Sequence, residues 1–471
     1  MRRQTSAICA CLTLLLCLAG VVNAQPVRIE VDVGKQHQTM RGFGASGAWW
    51  PTWMKDYPQE VQAEALDLLY DRDKGIGLSI FRYNLPVGGG DEITMPARST
   101  NGVEVAPGEF DLSRDAAALS FLEAARDRGA ERFVFFACSP PPRMTSNGMT
   151  SGGPDGGPNL KPSARADFAA YLLDLSTVIR DTHDLEHVAI SPLNEPQWHW
   201  GESSRTQEGC FYEPGEAALL VRDVVRLNVA RRAGFEIEAP ESGDWASAKP
   251  YIDAMFKHAV VREHVAEVAV HSYWTQPEQR GTAVREMRAS YPDLAFAMSE
   301  YCQMQNGHDR SIESGIEMAK VIHADLTVAG AVSWTWWLGI AAGNYKDGLI
   351  YAAPGGSEIE TTKRLWVLGQ WSRFIRPGHV RVAATEATDP LLVTAFKSPD
   401  DEELAVVIIN PAAAAIEADL STPGFVPASA KMFVTSDGLD LAEVETDGSV
   451  FRLPPASVAT VLLNGNPADV D

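Results

Sequence analysis

Between Gly42 and Trp337 the chain alternates short apolar runs with longer amphipathic stretches, and this alternation restricts the fold more than any other feature. The apolar runs are "GFGASG" (42–47), "GLSIFRYNLP" (77–86), "RFVFFACSP" (132–140), "HVAISPLNEP" (187–196), "FEIEAPESGDW" (235–245), "VAEVAVHSYW" (265–274), "LAFAMSEYC" (294–302) and "AGAVSWTWW" (329–337). Helical patterns separate several of them: "YPQEVQAEALDLLYD", "LSRDAAALSFLEAARDRG" ending in a glycine, "SARADFAAYLLDLSTVIRD" with Ser163 placed to cap it, "EPGEAALLVRDVVRLNVARRAG" ending at Gly234, and "IESGIEMAKVIHADL". Buried strands with intervening helices pair in parallel, and eight such units predict a closed (β/α)8 barrel. The count needs "GFGASG" to be a strand. An open doubly wound sheet is the rival, but "GFGASG" has the wrong glycine spacing for a dinucleotide turn and no strand immediately before it.

Past Pro377 the pattern changes to short β-like pieces parted by turn residues: "HVRVAATEA", "LLVTAFKSP", "LAVVIINP", "AAIEADLS", "AKMFVTSD", "VFRLP" and "VATVLLNG". They predict a small antiparallel β-sandwich, with "VRIEVDVGKQHQTM" before the barrel as a further strand. The expected division is a secretory signal over 1–24, an N-terminal strand of the sandwich over 25–40, a catalytic barrel over 41–371 and the sandwich over 372–471. The sandwich shows no aromatic platform, so a structural role suits it better than sugar binding.

The signal reading rests on Arg2 and Arg3, the apolar run 7–22 and small residues up to Ala24, leaving Gln25 as the mature start. That run is shorter than the roughly 20 residues of a membrane span. A secreted or periplasmic protein without a stable membrane anchor is therefore expected. Its mature part keeps Cys138, Cys210 and Cys302, an odd number that allows at most one internal disulfide. A formal net charge of -22 leaves no general basic surface for a nucleic-acid backbone, while a local basic pocket for an anionic ligand stays open.

Active sites of such barrels gather at the C-terminal ends of the strands. That rule selects Arg82 on the second strand, Asn194 and Glu195 after the fourth, His271 and Tyr273 at the sixth, Glu300 at the seventh, and Trp334, Trp336 and Trp337 at the eighth. Two glutamates on separate strands suit glycoside cleavage, in which one carboxylic acid protonates the leaving oxygen and a second carboxylate acts at the anomeric carbon. A gap of about 5–5.5 Å between them gives retention, and about 6.5–9.5 Å gives inversion. Asn194 suits a hydrogen bond to a sugar hydroxyl. Tyr273 and, from behind, Arg82 suit the orientation and ionisation of Glu300. Trp49, Trp198, Trp200 and Trp337 suit sugar faces, and His271 is either a site or a core residue. Glu241 and Asp244, after the fifth strand, compete for the catalytic roles on spacing alone. No H-E-x-x-H cluster points to a metal, no G-x-S-x-G elbow points to a serine hydrolase, and no cofactor is implied.

"RGFGASGAWW", "SPLNEPQWHW", "HSYW", "SEYC" and "GQWSRFIRPG" together resemble glycoside hydrolase family 30, in order, across nearly the whole mature chain. The resemblance implies a barrel with a sandwich built from both chain ends and metal-free retaining hydrolysis of β-linked glycosides. It also implies Glu195 as acid/base and Glu300 as nucleophile, with Asn194 and Tyr273 in their family places. "NEPQWHW" followed by "QEGCFYEPGE" is most similar to the branch acting on β-1,6-linked galactan, an endo-β-1,6-galactanase on arabinogalactan side chains. Glucuronoxylan endo-xylanase and β-1,6-glucanase of the same family are the alternatives. Glucuronoxylan members hold the acidic branch with an arginine and a tyrosine beyond strand eight. Here that region has Lys346, Lys363 and Arg364 but no clear counterpart of the pair. The glycine-rich loop 140–163 is expected to wall one side of the cleft. A non-catalytic carbohydrate-binding protein is the alternative of another class. A monomer is expected, with a β-linked polysaccharide or oligosaccharide as its partner.

Overall fold

The structure is a computed structural model that describes residues 25–89, 92–200, 205–385, 389–446 and 448–467. The expected signal segment lies outside the described residues. No helix among the described residues is long and apolar enough to cross a membrane.

Eight parallel strands close a barrel, as the alternation predicts: Gly42–Ser46, Ile80–Asn84, Arg132–Phe136, His187–Ser191, Glu236–Ser242, Val265–His271, Phe296–Tyr301 and Ala331–Ala341. Closure comes from the last strand, which pairs in parallel with the first and with the seventh. The strands are almost wholly buried because helices cover the outside and side chains fill the inside, which is why they read as continuous apolar runs. "GFGASG" is a strand for a steric reason. A Cβ at Gly44 would come within 2.6 Å of the Ile80 backbone oxygen on the neighbouring strand, so only glycine allows that approach.

Most sequence-read strands overrun the observed ones by two to five residues at the C-terminal end, and the excess forms the barrel mouth. Two helix caps differ from expectation. Ser163 sits inside a 3-10 turn, Pro162–Ala164, and the helix Arg165–Thr182 starts beyond it without a side-chain cap. The helix Pro214–Arg231 begins in a Glu213–Glu216 capping box and is capped at its end by left-handed Arg232 (φ 53°), two residues before Gly234, which also has a positive φ of 79°.

Gly348–Tyr351 and Glu360–Thr361 extend the barrel sheet beyond its eighth strand, Glu104–Ala106 pairs with Glu109–Phe110, and the other strands form a nine-stranded sheet that is antiparallel except at one pairing. Val27–Thr39 lies antiparallel to Val380–Ala384 and parallel to Ile416–Ser421. Strands from both ends of this sheet share one core, including Phe425, Met432, Phe451, Leu453 and Val461, so the sheet folds across itself. Its other face packs on the helices Ile312–Ala324 and Lys363–Ser372, where Phe396, Val407, Ile409 and Val458 join the barrel's own core. Polar ties cross this junction: Trp371 Nε1 donates to Thr394 Oγ1 (3.1 Å) and Thr460 Oγ1 to Gln370 Oε1 (2.7 Å). Cys138, Cys210 and Cys302 are buried free thiols.

Candidate active site

Glu195, at the end of the fourth strand, and Glu300, on the seventh, face each other across the barrel mouth. One oxygen of each, with one ring nitrogen of His271, lies within 4.8 Å of the others. Both residues are buried.

The backbone that carries them is strained. Of nine non-glycine residues with positive φ among those described, Trp49 (68°), Glu195 (46°), Glu241 (61°) and Trp274 (48°) stand around this mouth. A left-handed L-residue costs roughly 1–2 kcal/mol, and such strain persists where the surroundings over-determine the conformation. For Glu195 the surroundings are specific: its N–H donates to the Glu241 carbonyl (2.9 Å), tying the fourth strand's end to the fifth.

Beneath the pair lies a layer of charge. Arg82, fully buried on the second strand, donates through Nη1 to Glu300 Oε2 (2.5 Å) and through Nη2 to Asn194 Oδ1 (3.0 Å). Its guanidinium stacks on Phe136, 3.7 Å from the ring centroid. Because Arg82 takes the Asn194 oxygen, the Asn194 amide N–H groups are left to face the cavity. Tyr273 donates its hydroxyl to Glu300 Oε1 (3.0 Å).

Glu241, which spacing left as a rival for catalysis, is instead a buried hub. Its carboxylate accepts from Ser191 Oγ (2.8 Å), Ser299 Oγ and His271 Nε2 (2.9 Å), and lies 3.6 Å from Arg82 Nη2. Burial opposes its charge, but Arg82 and His271 outweigh burial and hold its pKa down at about 2. Asp244, the other rival, caps the helix Trp245–Met255 through the N–H groups of Ala246 and Ser247.

His271 shows no accessible surface and does not line the cavity, correcting its placement among substrate contacts. It sits behind the pair, with Nδ1 3.5 Å from Glu195 Oε1 and 3.7 Å from Glu300 Oε1. Burial disfavours its cation, yet the charge of Glu300, the nearby Glu195 carboxyl and the hydrogen bond with Glu241 push its pKa up to about 10. Two carboxylates and an imidazole also make a metal-type donor set. For Glu300, burial is the largest influence and raises its pKa, with Glu195 and Glu241 adding to it against His271 and Arg82.

Above the pair opens a cavity of about 200 Å³, lined by Trp49, Asn194, Glu195, Tyr273, Glu300 and Trp337 from the sequence-read set. Drug-sized ligands occupy roughly 300–1,000 Å³, so this space suits one sugar ring. Trp49 and Trp337 meet edge-on at 5.0 Å. Trp198 stands at the rim against Trp274. Trp200 is turned away: its ring covers Gly209, where a Cβ would come within 2.2 Å of it. Trp334 and Trp336, offset from Trp337 on the alternating strand, are fully buried and bond outward to Asp325 and the Asp347 carbonyl.

The cavity also holds residues that sequence reading did not select: Arg98, Gln207, Trp274, Met304, Tyr345 and Asp347. Trp274 ends the "HSYW" stretch and was within reach of the strand-end rule. Gln207 opens the "QEGCFYEPGE" stretch, whose likeness did not single it out, and Arg98 comes from a segment with no pattern to mark it. No described residue of the loop 140–163 lines the cavity; the loop closes on itself through Asn147 and Asn159. The bases beyond strand eight are also engaged elsewhere. Lys346 pairs with Asp309 (2.8 Å), Lys363 with Asp440 (2.8 Å), and buried Arg364 bonds the Gly348 carbonyl and Tyr351.

Comparison with known proteins places the chain in a family. Residues 26–351 match the family described as O-Glycosyl hydrolase family 30. The chain is 23% identical to an endo-beta-1,6-galactanase of Hypocrea rufa, over 74% of this chain and 75% of that one. It is 23% identical to the glucuronoxylanase XynC of Bacillus subtilis (strain 168), over 98% and 99%. A conserved exported protein from Bacteroides fragilis superimposes with a TM-score of 0.82 at 25% identity, covering 92% of this chain and all of that one.

Proposed function

This chain belongs to O-glycosyl hydrolase family 30, and on that premise we propose that Glu195 is the acid/base and Glu300 the nucleophile of a retaining cleavage of a β-linked polysaccharide. The observation that carries the reading is the approach of the two carboxyls, within 4.8 Å at their nearest oxygens. Retaining pairs stand about 5–5.5 Å apart, and an inverting pair needs about 6.5–9.5 Å to seat its water.

Glu300 attacks the anomeric carbon while Glu195 gives its proton to the leaving oxygen. Water then displaces the glycosyl ester, with Glu195 taking the water's proton. The cycle starts with the proton on Glu195 and the charge on Glu300. Arg82 and Tyr273 hold both oxygens of Glu300, and His271, backed by Glu241, keeps a positive charge behind both carboxyls as the proton moves from one step to the next. Because the Glu300 pKa is raised, the acid limb of the bell-shaped pH profile falls above pH 4.5.

For the substrate, glucuronoxylan becomes the first reading and β-1,6-galactan the second, reversing the order drawn from sequence motifs. The likeness to the Bacillus glucuronoxylanase runs nearly end to end, and the likeness to the Hypocrea galactanase over three-quarters of the chain. Arg98 supports the acidic polymer. It lines the cavity, stacks on Trp49 at 4.9 Å, and makes no ion pair among the described residues. Product analysis on glucuronoxylan, β-1,6-galactan and β-1,6-glucan tests both levels. Oligomers from glucuronoxylan alone support the first reading, and oligomers from galactan alone restore the second. No product from any of the three by folded protein refutes the assignment.

A further inference from the structure

Of the tryptophans, Trp198 and Trp274 alone among the described residues are strongly exposed, at 41% and 53%. Leaving two indoles in water forgoes a large apolar burial, and both stand at the catalytic mouth. Trp274 lines the cavity and holds a left-handed φ of 48°, a conformation that costs a bulky side chain energy. Their rings meet at 5.2 Å and 74°, forming an open aromatic corner.

The position of this corner relative to the two glutamates gives it a direction. Trp198 donates its backbone N–H to the Glu195 carbonyl (3.1 Å). A Cβ built on Gly243 would lie 2.8 Å from Glu195 Oε1 and 3.2 Å from Trp198 Nε1, so carboxylate and indole border the same small space. An acid/base must reach the leaving oxygen, so the departing sugar lies on the Glu195 side of the scissile bond. The ring that is attacked takes the other side, between Trp49, Trp337 and Glu300.

We propose that Trp198 and Trp274 form the subsite for the leaving-group sugar, a pyranose whose C–H face rests on one indole and whose edge meets the other. The assignment rests on Glu195 being the acid/base. It has a chemical consequence. Once the first sugar has left, the corner holds a second sugar as acceptor. Its hydroxyl oxygen bonds to the anomeric carbon, the bond from that carbon to Glu300 breaks, and the hydroxyl proton passes to Glu195. The products are a longer oligosaccharide and free enzyme, with atoms and charge balanced.

The test compares leaving groups. Xylo-oligosaccharides and β-1,6-galacto-oligosaccharides need the corner, whereas the fluorides of xylobiose and galactobiose lose a single atom and do not. For Trp274→Ala, the ratio of kcat/KM on the oligosaccharide to kcat/KM on the matching fluoride falls about tenfold, or about 1.4 kcal/mol. The share of transfer products at high oligosaccharide concentration falls with it, and Trp274→Phe recovers part of both. Trp198→Ala carries the same comparison if Trp274→Ala does not fold. An unchanged ratio, whether both substrates lose equally or neither does, overturns the subsite and leaves the catalytic pair standing. Wild-type enzyme that cleaves neither these oligosaccharides and fluorides nor glucuronoxylan, β-1,6-galactan or β-1,6-glucan overturns the catalytic assignment itself.

Discussion

Replacing Glu241 by glutamine tests whether the charge layer under the catalytic pair is what holds it. The carboxylate is fully buried, accepts three hydrogen bonds and faces Arg82. Its pKa of about 2, against an ordinary 4.5, corresponds to about 3 kcal/mol at about 1.36 kcal/mol per unit. Because the folded value is depressed, this stability is present above pH 4.5 and is lost as pH falls toward 2. Glutamine keeps the volume but offers one acceptor and an N–H₂ where two hydroxyls and an imidazole N–H donate and a guanidinium stands 3.6 Å away. Breaking a buried charge pair on one side costs roughly 3–5 kcal/mol, in line with the figure from the pKa. Urea unfolding of wild type and Glu241→Gln between about pH 4 and 8 should therefore show a difference of about 3 kcal/mol at about pH 6–8, narrowing below pH 4.5. The His271 titration, followed by NMR, should move down from about 10. A difference under about 1 kcal/mol, or one that ignores pH, refutes the electrostatic account and leaves Glu241 as a packing residue.

Three further substitutions probe separate parts. Glu300→Gln keeps the fold and lowers kcat by more than about 1,000-fold, and near-normal turnover removes it as nucleophile. Gly243→Ala puts a methyl 2.5 Å from Gln197 Nε2 and 2.8 Å from Glu195 Oε1. Both are movable side-chain ends, so the thermal midpoint stays near wild type while kcat drops about 100-fold from the misplaced carboxyl, and unchanged kcat shows that Glu195 needs no such space. Glu208 is buried with Oε2 unpaired while Oε1 accepts from Gly89 N, Thr100 N and Thr100 Oγ1; burial, outweighing these bonds, pushes its pKa up to about 7. A raised carboxyl costs stability as pH climbs past 4.5 and costs it fully above 7, so Glu208→Gln raises the melting temperature at about pH 8.5 more than at about pH 5, and equal shifts refute that sign.

The sequence by itself determined the barrel, because strands buried on both faces must read as unbroken apolar runs and their helices as amphipathic ones. It also brought the candidate residues to strand ends, because a strand's last residue is visible where the apolar run meets polar sequence, as at Asn194 and Glu195 or at Glu300. Only the tertiary structure decided what each polar residue meets. Glu241 and Glu195 carry the same side chain at equivalent strand ends, yet one faces Arg82, His271 and two serines while the other faces the cavity. Trp198 and Trp200 differ by two positions, but a glycine at 209 draws one ring away and leaves the other at the rim. Lys346, Lys363 and Arg364 read as available cations until Asp309, Asp440 and a buried carbonyl claim them, and Arg98 enters the cavity from a loop without pattern. Periodicity follows from the neighbours along a strand or helix, which the chain order states directly. Pairing between residues far apart in the chain depends on distances of a few ångströms that closure of the barrel alone sets.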